Sequence, residues 1–116
     1  MATIRIIDLS LRTIIGTNDW ERTSKQDVVI NVVIEYDAKK AVESDNIKDA
    51  VDYKIITKKI IKEVESSQYG LLEKLTGSIL KIVMEHPKVR AATVRIDKPF
   101  ALRFARSVSV ELSAKR

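Results

Sequence analysis

The sequence predicts an α+β protein in which two helices pack on one face of a four-stranded antiparallel sheet. Apolar residues alternate with the period of a strand near both ends of the chain and recur with helical spacing between them. This order of two strands, two helices and two strands places both helices on the same side of the sheet. A length of 116 residues fits one hydrophobic core, so we expect a single domain over residues 1–116.

Two alternating runs predict the first two strands. In the first run the inward-facing set changes after Ile6, which predicts a β-bulge at Ile6 and Ile7. In the second run the alternate residues from Val28 to Tyr36 lie on one face. A long polar loop over residues 16–26 joins the strands as a hairpin.

Two amphipathic helices follow a charged segment. An aspartate within residues 49–52 caps the first helix, which begins at Tyr53 and ends near Ser67. The second helix begins near Leu72 and ends near His86, because Pro87 interrupts it. The third strand leads to residues 98–99, and the fourth spans residues 108–112.

The predicted sheet has two unpaired edges, and its face away from the helices carries Ile14, Val29 and Val33. Open edges promote aggregation unless they pair with something. We therefore expect the chain to form oligomers through these edges, and a closed barrel is one way to do so.

The composition excludes several kinds of site. The chain has no cysteine and one histidine, which excludes disulfides, thiolate metal sites, three-histidine zinc sites and histidine-dependent triads. His86 itself is typical of a helix C-terminal cap or a surface position. Three scattered glycines form no phosphate-binding loop. The absence of a long apolar stretch predicts a cytoplasmic protein with no membrane partner.

The side chains that remain available for catalysis or binding are carboxylates, lysines and tyrosines. Lys98 ends a strand and is either a partly buried group that transfers protons or an ordinary surface lysine. Glu73 lies near a helix start, where it either accepts hydrogen bonds from a flat amino-heterocycle or interacts only with the helix dipole. Tyr53 opens a helix and Glu21 lies in the polar loop, positions that ordinary boundary residues also occupy.

Basic residues give the chain a net charge of +5, which favours anionic partners without selecting among them. Lys54, Lys58 and Lys62 form a row on the first helix, which predicts a solvated face or, as the alternative, a nucleic-acid surface. Aromatic residues make up only 5% of the chain, too few to favour base stacking. We therefore expect no nucleic-acid partner.

Five ordered blocks resemble the dihydroneopterin aldolase family, and within it most closely the dihydroneopterin triphosphate epimerase branch. They are DLSLRT (8–13) with IG (15–16), QDVVINV (26–32), DAVDY (49–53) with ITK (56–58), LLEKLT (71–76), and DK (97–98) followed by ALRFA (101–105) and SVS (107–109). Together the blocks extend over nearly the whole chain. Residues 18–21 look like the loop of bacterial aldolases, whereas residues 100–104 look like those of epimerases.

The resemblance implies the tunnelling fold. In that fold, subunits join their sheets edge to edge into a barrel, and two rings stack, typically as an octamer with active sites between subunits. It also implies that Glu73 and the backbone near Leu72 bind the pterin ring. Tyr53 from a neighbouring subunit orients the substrate beside Asp52, and Lys98 and Glu21 transfer protons together with Tyr53.

The implied reaction uses neither metal nor cofactor, because dihydropterin already contains a C=N bond beside its side chain that accepts electrons when protonated. Loss of the 2′-hydroxyl proton then breaks the C1′–C2′ bond and leaves an enamine and an aldehyde. Re-addition after the aldehyde turns inverts C2′. We therefore expect an epimerase that converts 7,8-dihydroneopterin triphosphate to dihydromonapterin triphosphate, with Arg103 and Arg106 as phosphate contacts. The alternative is an aldolase of folate synthesis, which releases glycolaldehyde and 6-hydroxymethyl-7,8-dihydropterin.

Overall fold

The computed structural model describes residues 1–116 and has the predicted α+β architecture, with five strands and three α-helices. In chain order the elements are β1 (Ala2–Ile15), β2 (Gln26–Tyr36), α1 (Lys39–Ser44), α2 (Tyr53–Ser66), β3 (Gln68–Tyr69), α3 (Leu72–Met84), β4 (Val89–Pro99) and β5 (Ser107–Lys115). Two short 3-10 helices cover Asp19–Arg22 and Ile47–Asp49. The segment that the sequence predicted only as charged chain thus contains α1, which buries none of its residues.

The sheet has the order β3-β1-β2-β4-β5. The four long strands are antiparallel to their neighbours, as predicted. The predicted fold class is confirmed, and the sheet gains one short strand beyond the four predicted, because β3 pairs in parallel with Ile14 and Ile15 at the end of β1. A strand of two residues, such as Gln68 and Tyr69, is too short to show an alternating pattern in the sequence. Its pairing depends on contacts between distant segments.

The predicted bulge interrupts the pairing of β1 with β2 between Ile6 and Leu9. Asp8 adopts a φ of 56°, and its backbone N–H donates to the side-chain oxygen of Asn31 at 3.0 Å. The Asn31 amide donates back to the Asp8 carboxylate at 3.2 Å. Because the bulge shifts the alternation, Ile4 and Ile6 before it and Leu9 and Leu11 after it all pack against the core, whereas Ile7 is exposed.

One cluster of 18 buried apolar residues fills the space between the sheet and the helices. The alternate residues of β2 from Val28 to Tyr36 belong to it, as predicted. The two long helices each bury one face, through Ile56, Ile60 and Val64 of α2 and through Leu75, Ile79 and Val83 of α3. Asp52 caps α2 by accepting a hydrogen bond from the N–H of Lys54 at 3.0 Å, which confirms the predicted cap.

The two ends of α2 lie at opposite ends of the molecule. Its C-terminal end lies beside the end of β1, where Thr13 Oγ1 donates to the carbonyl of Val64 at 2.6 Å. Its 14 residues are about 21 Å long. The segment before its N-terminal end lies near the start of β4, because Lys88 Nζ donates to the carbonyl of Lys48 at 2.7 Å.

The outer edges of the sheet are largely open. β5 has a partner on one side only, and β1 is covered on its outer side only where β3 pairs with it. Oligomerisation through these edges stays a prediction. None of the helices has the length and apolar character needed to cross a membrane, and the cytoplasmic location also stays a prediction.

Candidate active site

A buried ion pair joins the loop after β1 to the end of β4. Glu21 belongs to the 3-10 helix in that loop, and Lys98 is the next-to-last residue of β4. The Lys98 ammonium donates to Glu21 Oε2, and the two side chains are only 14% and 6% exposed. The structure therefore brings together two of the residues that the sequence predicted as proton-transfer groups.

Three further donors hold the Glu21 carboxylate. Its Oε1 accepts hydrogen bonds from the backbone N–H of Asn18 at 3.2 Å and from Asn18 Nδ2 at 2.8 Å. Its Oε2 accepts from Gln26 Nε2 at 3.1 Å, and the same Gln26 nitrogen donates to the carbonyl of Ile15 at 2.8 Å. Sequence reasoning missed Asn18 and Gln26, although the spacing of Asn18 and Glu21 is that of a capping box.

These contacts lower the pKa of Glu21 to about 2. The hydrogen bond from Lys98 makes the largest contribution, burial opposes it, and the bonds from Gln26 and Asn18 and the Lys98 charge lower the pKa further. Glu21 is therefore ionised at neutral pH. The ionised carboxylate therefore accepts a hydrogen bond from the Lys98 side chain in a largely buried position.

Because Gly16 has no side chain, the Glu21 carboxylate can lie directly against its backbone. The φ of Gly16 is +127°, a conformation that residues with side chains rarely adopt. A Cβ at this position would overlap the carboxylate carbon and both carboxylate oxygens of Glu21. The end of β1 therefore needs a glycine, both for its backbone conformation and for the position of the ion pair.

Glu73 lies in the first turn of α3, close to the same end of the sheet. Gly70, just before the helix, lies against the loop that follows β1, since a Cβ there would be 3.5 Å from the methyl group of Thr17. The Glu73 side chain is exposed, whereas Leu72 is half-buried against the core. The N-cap residue Leu71 has no side-chain acceptor, which leaves the first N–H groups of α3 without a capping side chain.

An open cavity of about 310 Å³ runs along this part of α3, lined by Tyr69, Glu73, Lys74, Gly77, Ser78 and Lys81. Glu63 of α2 supports its wall by accepting hydrogen bonds from the hydroxyl groups of Tyr69 and Ser78, each at 2.8 Å. The Lys74 ammonium lies 5.9 Å from the centre of the Tyr69 ring. Glu73 is thus an exposed carboxylate at a cavity whose wall residues Tyr69 and Ser78 are hydrogen-bonded to Glu63.

Tyr53 and Asp52 lie at the opposite end of the molecule, at the N-terminus of α2. Tyr53 is 50% exposed. The start of β4 is their neighbour, and Lys98 lies about 30 Å further along that strand. Within one chain the structure therefore does not bring Tyr53 and Asp52 together with the Glu21–Lys98 pair or Glu73.

Arg103 and Arg106 belong to the loop between β4 and β5, and both are exposed. The Arg103 guanidinium lies 5.0 Å from the centre of the Phe104 ring. Arg106 lines an open cavity of about 460 Å³ on the sheet face away from the helices, and its carbonyl accepts from the N–H of Phe100 at 2.9 Å. Neither arginine forms an ion pair.

His86 is half-buried near the start of β4, as expected for a residue near the end of a helix. Its Nδ1 accepts a hydrogen bond from the N–H of Lys88 at 3.2 Å. Burial and the nearby charge of Lys88 lower the pKa of His86 below its ordinary value. This position is remote from Glu21 and Lys98.

Comparison with known proteins identifies close relatives. The family model of dihydroneopterin aldolase (FolB) matches residues 4–113. Dihydroneopterin triphosphate 2′-epimerases from Pseudomonas aeruginosa and Escherichia coli K12 are 53% and 51% identical to this chain, over 100% and 99% of it and 94% and 96% of those proteins. Dihydroneopterin aldolase from E. coli K12 is 28% identical over 95% of this chain and 90% of its own length.

A solved structure agrees with the sequence matches. The crystal structure of E. coli dihydroneopterin aldolase in complex with neopterin superposes with a TM-score of 0.93 at 27% sequence identity. The superposition covers 98% of this chain and 99% of the other. The fold is therefore that of this group of proteins.

Replacing Gly16 by alanine is expected to lower the free energy of unfolding by more than about 1 kcal/mol, because the new methyl group displaces the Glu21 carboxylate and the backbone is strained. Urea unfolding at a fixed protein concentration measures this change. Gly77→Ala is the matched control, since its Cβ would meet only Leu112 Cδ1 at 3.8 Å within a helix. Equal losses in the two variants would contradict the assignment.

Acid is expected to weaken the contribution of Glu21 to stability. The folded pKa of about 2 lies below the ordinary value of 4.5, so the contribution is complete above about pH 4.5 and is lost as the pH falls toward 2. In urea unfolding, the difference between the native protein and Glu21→Gln should therefore shrink across this range. Glu65→Gln serves as control, since that side chain is exposed and makes no ion pair. Parallel profiles for native protein and Glu21→Gln would contradict this prediction.

Proposed function

Because this chain belongs to the dihydroneopterin aldolase family, we propose that it epimerises C2′ of 7,8-dihydroneopterin triphosphate to give dihydromonapterin triphosphate. The structural observation that carries the proposal is the buried Glu21–Lys98 pair, which couples a proton donor to an ionised carboxylate. The choice of branch is supported by the identities, which are 53% and 51% to epimerases and 28% to an aldolase. We assign one catalytic domain to residues 1–116, since the buried apolar residues form one cluster.

The proposed chemistry depends on proton transfer at fixed positions. As the 2′-hydroxyl loses its proton, the electrons of the C1′–C2′ bond move into the protonated ring C=N bond, giving an enamine and an aldehyde. Lys98, with Glu21 behind it, exchanges protons with the substrate in both directions, since bond formation reverses each transfer. If the aldehyde turns before it re-adds, C2′ is inverted, and no metal is needed because the dihydropterin itself accepts the electrons.

Glu73 is proposed to bind the pterin ring. Its exposed carboxylate can accept two hydrogen bonds from an amino group and an adjacent ring N–H, while the free N–H groups at the start of α3 near Leu72 donate to ring acceptors. The E. coli aldolase of the same fold was crystallised with neopterin, which supports a pterin ligand. Arg103 and Arg106 are proposed to contact the triphosphate, because both guanidinium groups are exposed and lack a carboxylate partner.

The assembly is part of the proposal. Tyr53 and Asp52 lie far from the other proposed site residues of the same chain, and a second chain that pairs along an open strand edge can supply them. β1 and β5 are the two such edges. We propose a ring of identical subunits, stacked in pairs as an octamer, in which Tyr53 of one chain completes the site of its neighbour.

A turnover assay with two substrates tests the activity. The protein is incubated with 7,8-dihydroneopterin triphosphate and, separately, with 7,8-dihydroneopterin, and the oxidised products are resolved by stereochemistry-sensitive chromatography with fluorescence detection. We expect monapterin triphosphate without release of an aldehyde, and a fall in kcat of about 100-fold or more in Lys98→Ala. Lys62→Ala, an exposed lysine of α2, is the control.

Each other outcome of the assay has a distinct meaning. Rapid release of glycolaldehyde with unchanged C2′ stereochemistry in the triphosphate would identify an aldolase, the activity for which the matching family model is described. Equal activity in native protein and Lys98→Ala would contradict the role of the Glu21–Lys98 pair. Absence of turnover of either substrate would reject the proposed function.

Mixing two inactive variants tests the shared site. If Tyr53 and Lys98 of one site come from different chains, co-assembly of Tyr53→Ala and Lys98→Ala subunits creates some sites with both native residues. Random assembly in equal amounts should restore about one quarter of the native activity. Native protein treated in the same way is the control, and a mixture that stays as inactive as its components would show that the two residues serve the site from one chain.

A further inference from the structure

Arg22 forms an unusual set of contacts next to Glu21. Its Nη1 donates to the carbonyl of Gly16 at 2.9 Å and to the carbonyl of Tyr69 at 3.1 Å, and its Nη2 donates to the carbonyl of Gln68. The side chain is half-buried, and no carboxylate forms an ion pair with it. One guanidinium therefore binds three backbone carbonyls, and these come from two separate segments.

These two segments carry the two halves of the proposed site. Gly16 follows β1 and leads into the loop with Glu21, whereas Gln68 and Tyr69 form β3 and lead into the first turn of α3 with Glu73. Otherwise β3 is held to β1 by only two residue pairs, with the backbone bond from the Gly16 N–H to the Tyr69 carbonyl at 3.3 Å. Thr13 Oγ1 of β1 also donates to the carbonyl of Ser67, just before β3, at 3.1 Å, but Arg22 is the side chain that donates to the carbonyls of both β3 residues.

We propose that Arg22 is a positioning residue, which fixes the Glu21–Lys98 pair relative to the carboxylate of Glu73. The inference rests on the proposed function, since only that function gives the pair and Glu73 parts in one reaction. A planar group with five donors suits this task, because it can bind several carbonyls in a fixed geometry. A shorter or neutral side chain leaves some of these carbonyls without a partner.

Direct contact with the triphosphate is the competing role for a cation at this place. Three bonds of Arg22 are already made to the backbone, and the side chain is half-buried. Arg103 and Arg106 are exposed and have no such bonds from their guanidinium groups. The contacts therefore favour positioning over phosphate binding for Arg22.

Loss of the Arg22 contacts leaves each half of the site intact. Glu21 keeps its hydrogen bonds from Asn18, Gln26 and Lys98, and α3 remains packed through its buried residues. The pterin ring should then still bind through Glu73. The chemical step should slow, because a misplacement of about 1 Å between reacting groups can cost about 100-fold in rate.

The test compares Arg22→Gln, Arg22→Lys and Arg12→Gln. Arg12 is the matched control, because its Nη2 also donates to a backbone carbonyl, that of Lys25 at 3.0 Å, but it connects only the β1–β2 hairpin. For each protein one measures kcat and KM with dihydroneopterin triphosphate and with dihydroneopterin, and Kd for neopterin by fluorescence. Amide hydrogen exchange over residues 68–73 and the unfolding midpoint complete the set.

We expect Arg22→Gln to lower kcat about 10- to 100-fold while Kd for neopterin changes by less than about twofold. Exchange over residues 68–73 should accelerate. Arg22→Lys should retain part of the activity, because an ammonium can still donate to one or two of the carbonyls. Arg12→Gln should match the native protein in kcat and in exchange over these residues.

Several results would overturn the inference. A lower unfolding midpoint with native kcat, measured well below that midpoint, would assign Arg22 to fold stability alone. A rise in KM confined to the triphosphate would identify a phosphate contact instead. If the native protein turns over neither substrate, the proposed function fails first and the positioning role fails with it, whereas failure of the inference alone shows as native activity in Arg22→Gln.

Discussion

The buried ion pair between Glu21 and Lys98 joins the loop after β1 to the end of β4 and sets conditions on the residues around it. Taking two charges out of water is costly, and their attraction offsets that cost only when further hydrogen bonds satisfy the remaining oxygens and protons. Asn18 and Gln26 supply those bonds, and Gly16 supplies the space. The conformation of the loop after β1, the glycine at its start and the position of the β4 end are therefore linked requirements.

The same end of the sheet also holds the start of α3. β3 pairs with the last residues of β1, and Arg22 binds the carbonyls of both segments. This arrangement places the start of α3, with the exposed carboxylate of Glu73, at the same end of the sheet as the Glu21–Lys98 pair. The long antiparallel strands and α2 have the opposite effect on Tyr53, which they hold at the far end of the molecule. A single chain thus carries the parts of the proposed site at two ends, which suits an enzyme that completes its sites between subunits.

Hydrophobic patterns predicted most of the fold, because each pattern is set by residues that are near one another in the sequence. Alternation along β2 and helical spacing in α2 and α3 follow from which side chains leave water, so they can be read without knowing the partners. The bulge in β1 was predicted for the same reason, since a change of alternation has to be absorbed where it occurs. The cap at Asp52 depends on residues only two positions away. The family resemblance then predicted Glu21, Glu73 and Lys98 as parts of one site.

Taken alone, the sequence determined the fold class, the long elements and the kinds of side chain available for chemistry, because composition and periodicity depend on neighbours along the chain. The family followed separately, from the resemblance of five ordered blocks. Only the tertiary structure decided that Glu21 and Lys98, 77 positions apart, form a pair, and that Gln26 and Asn18 hold it. It also decided the pairing of β3 and the role of Arg22 as a link between segments. Such contacts depend on how distant segments meet in space, and neither hydrophobic period nor local propensity records that information.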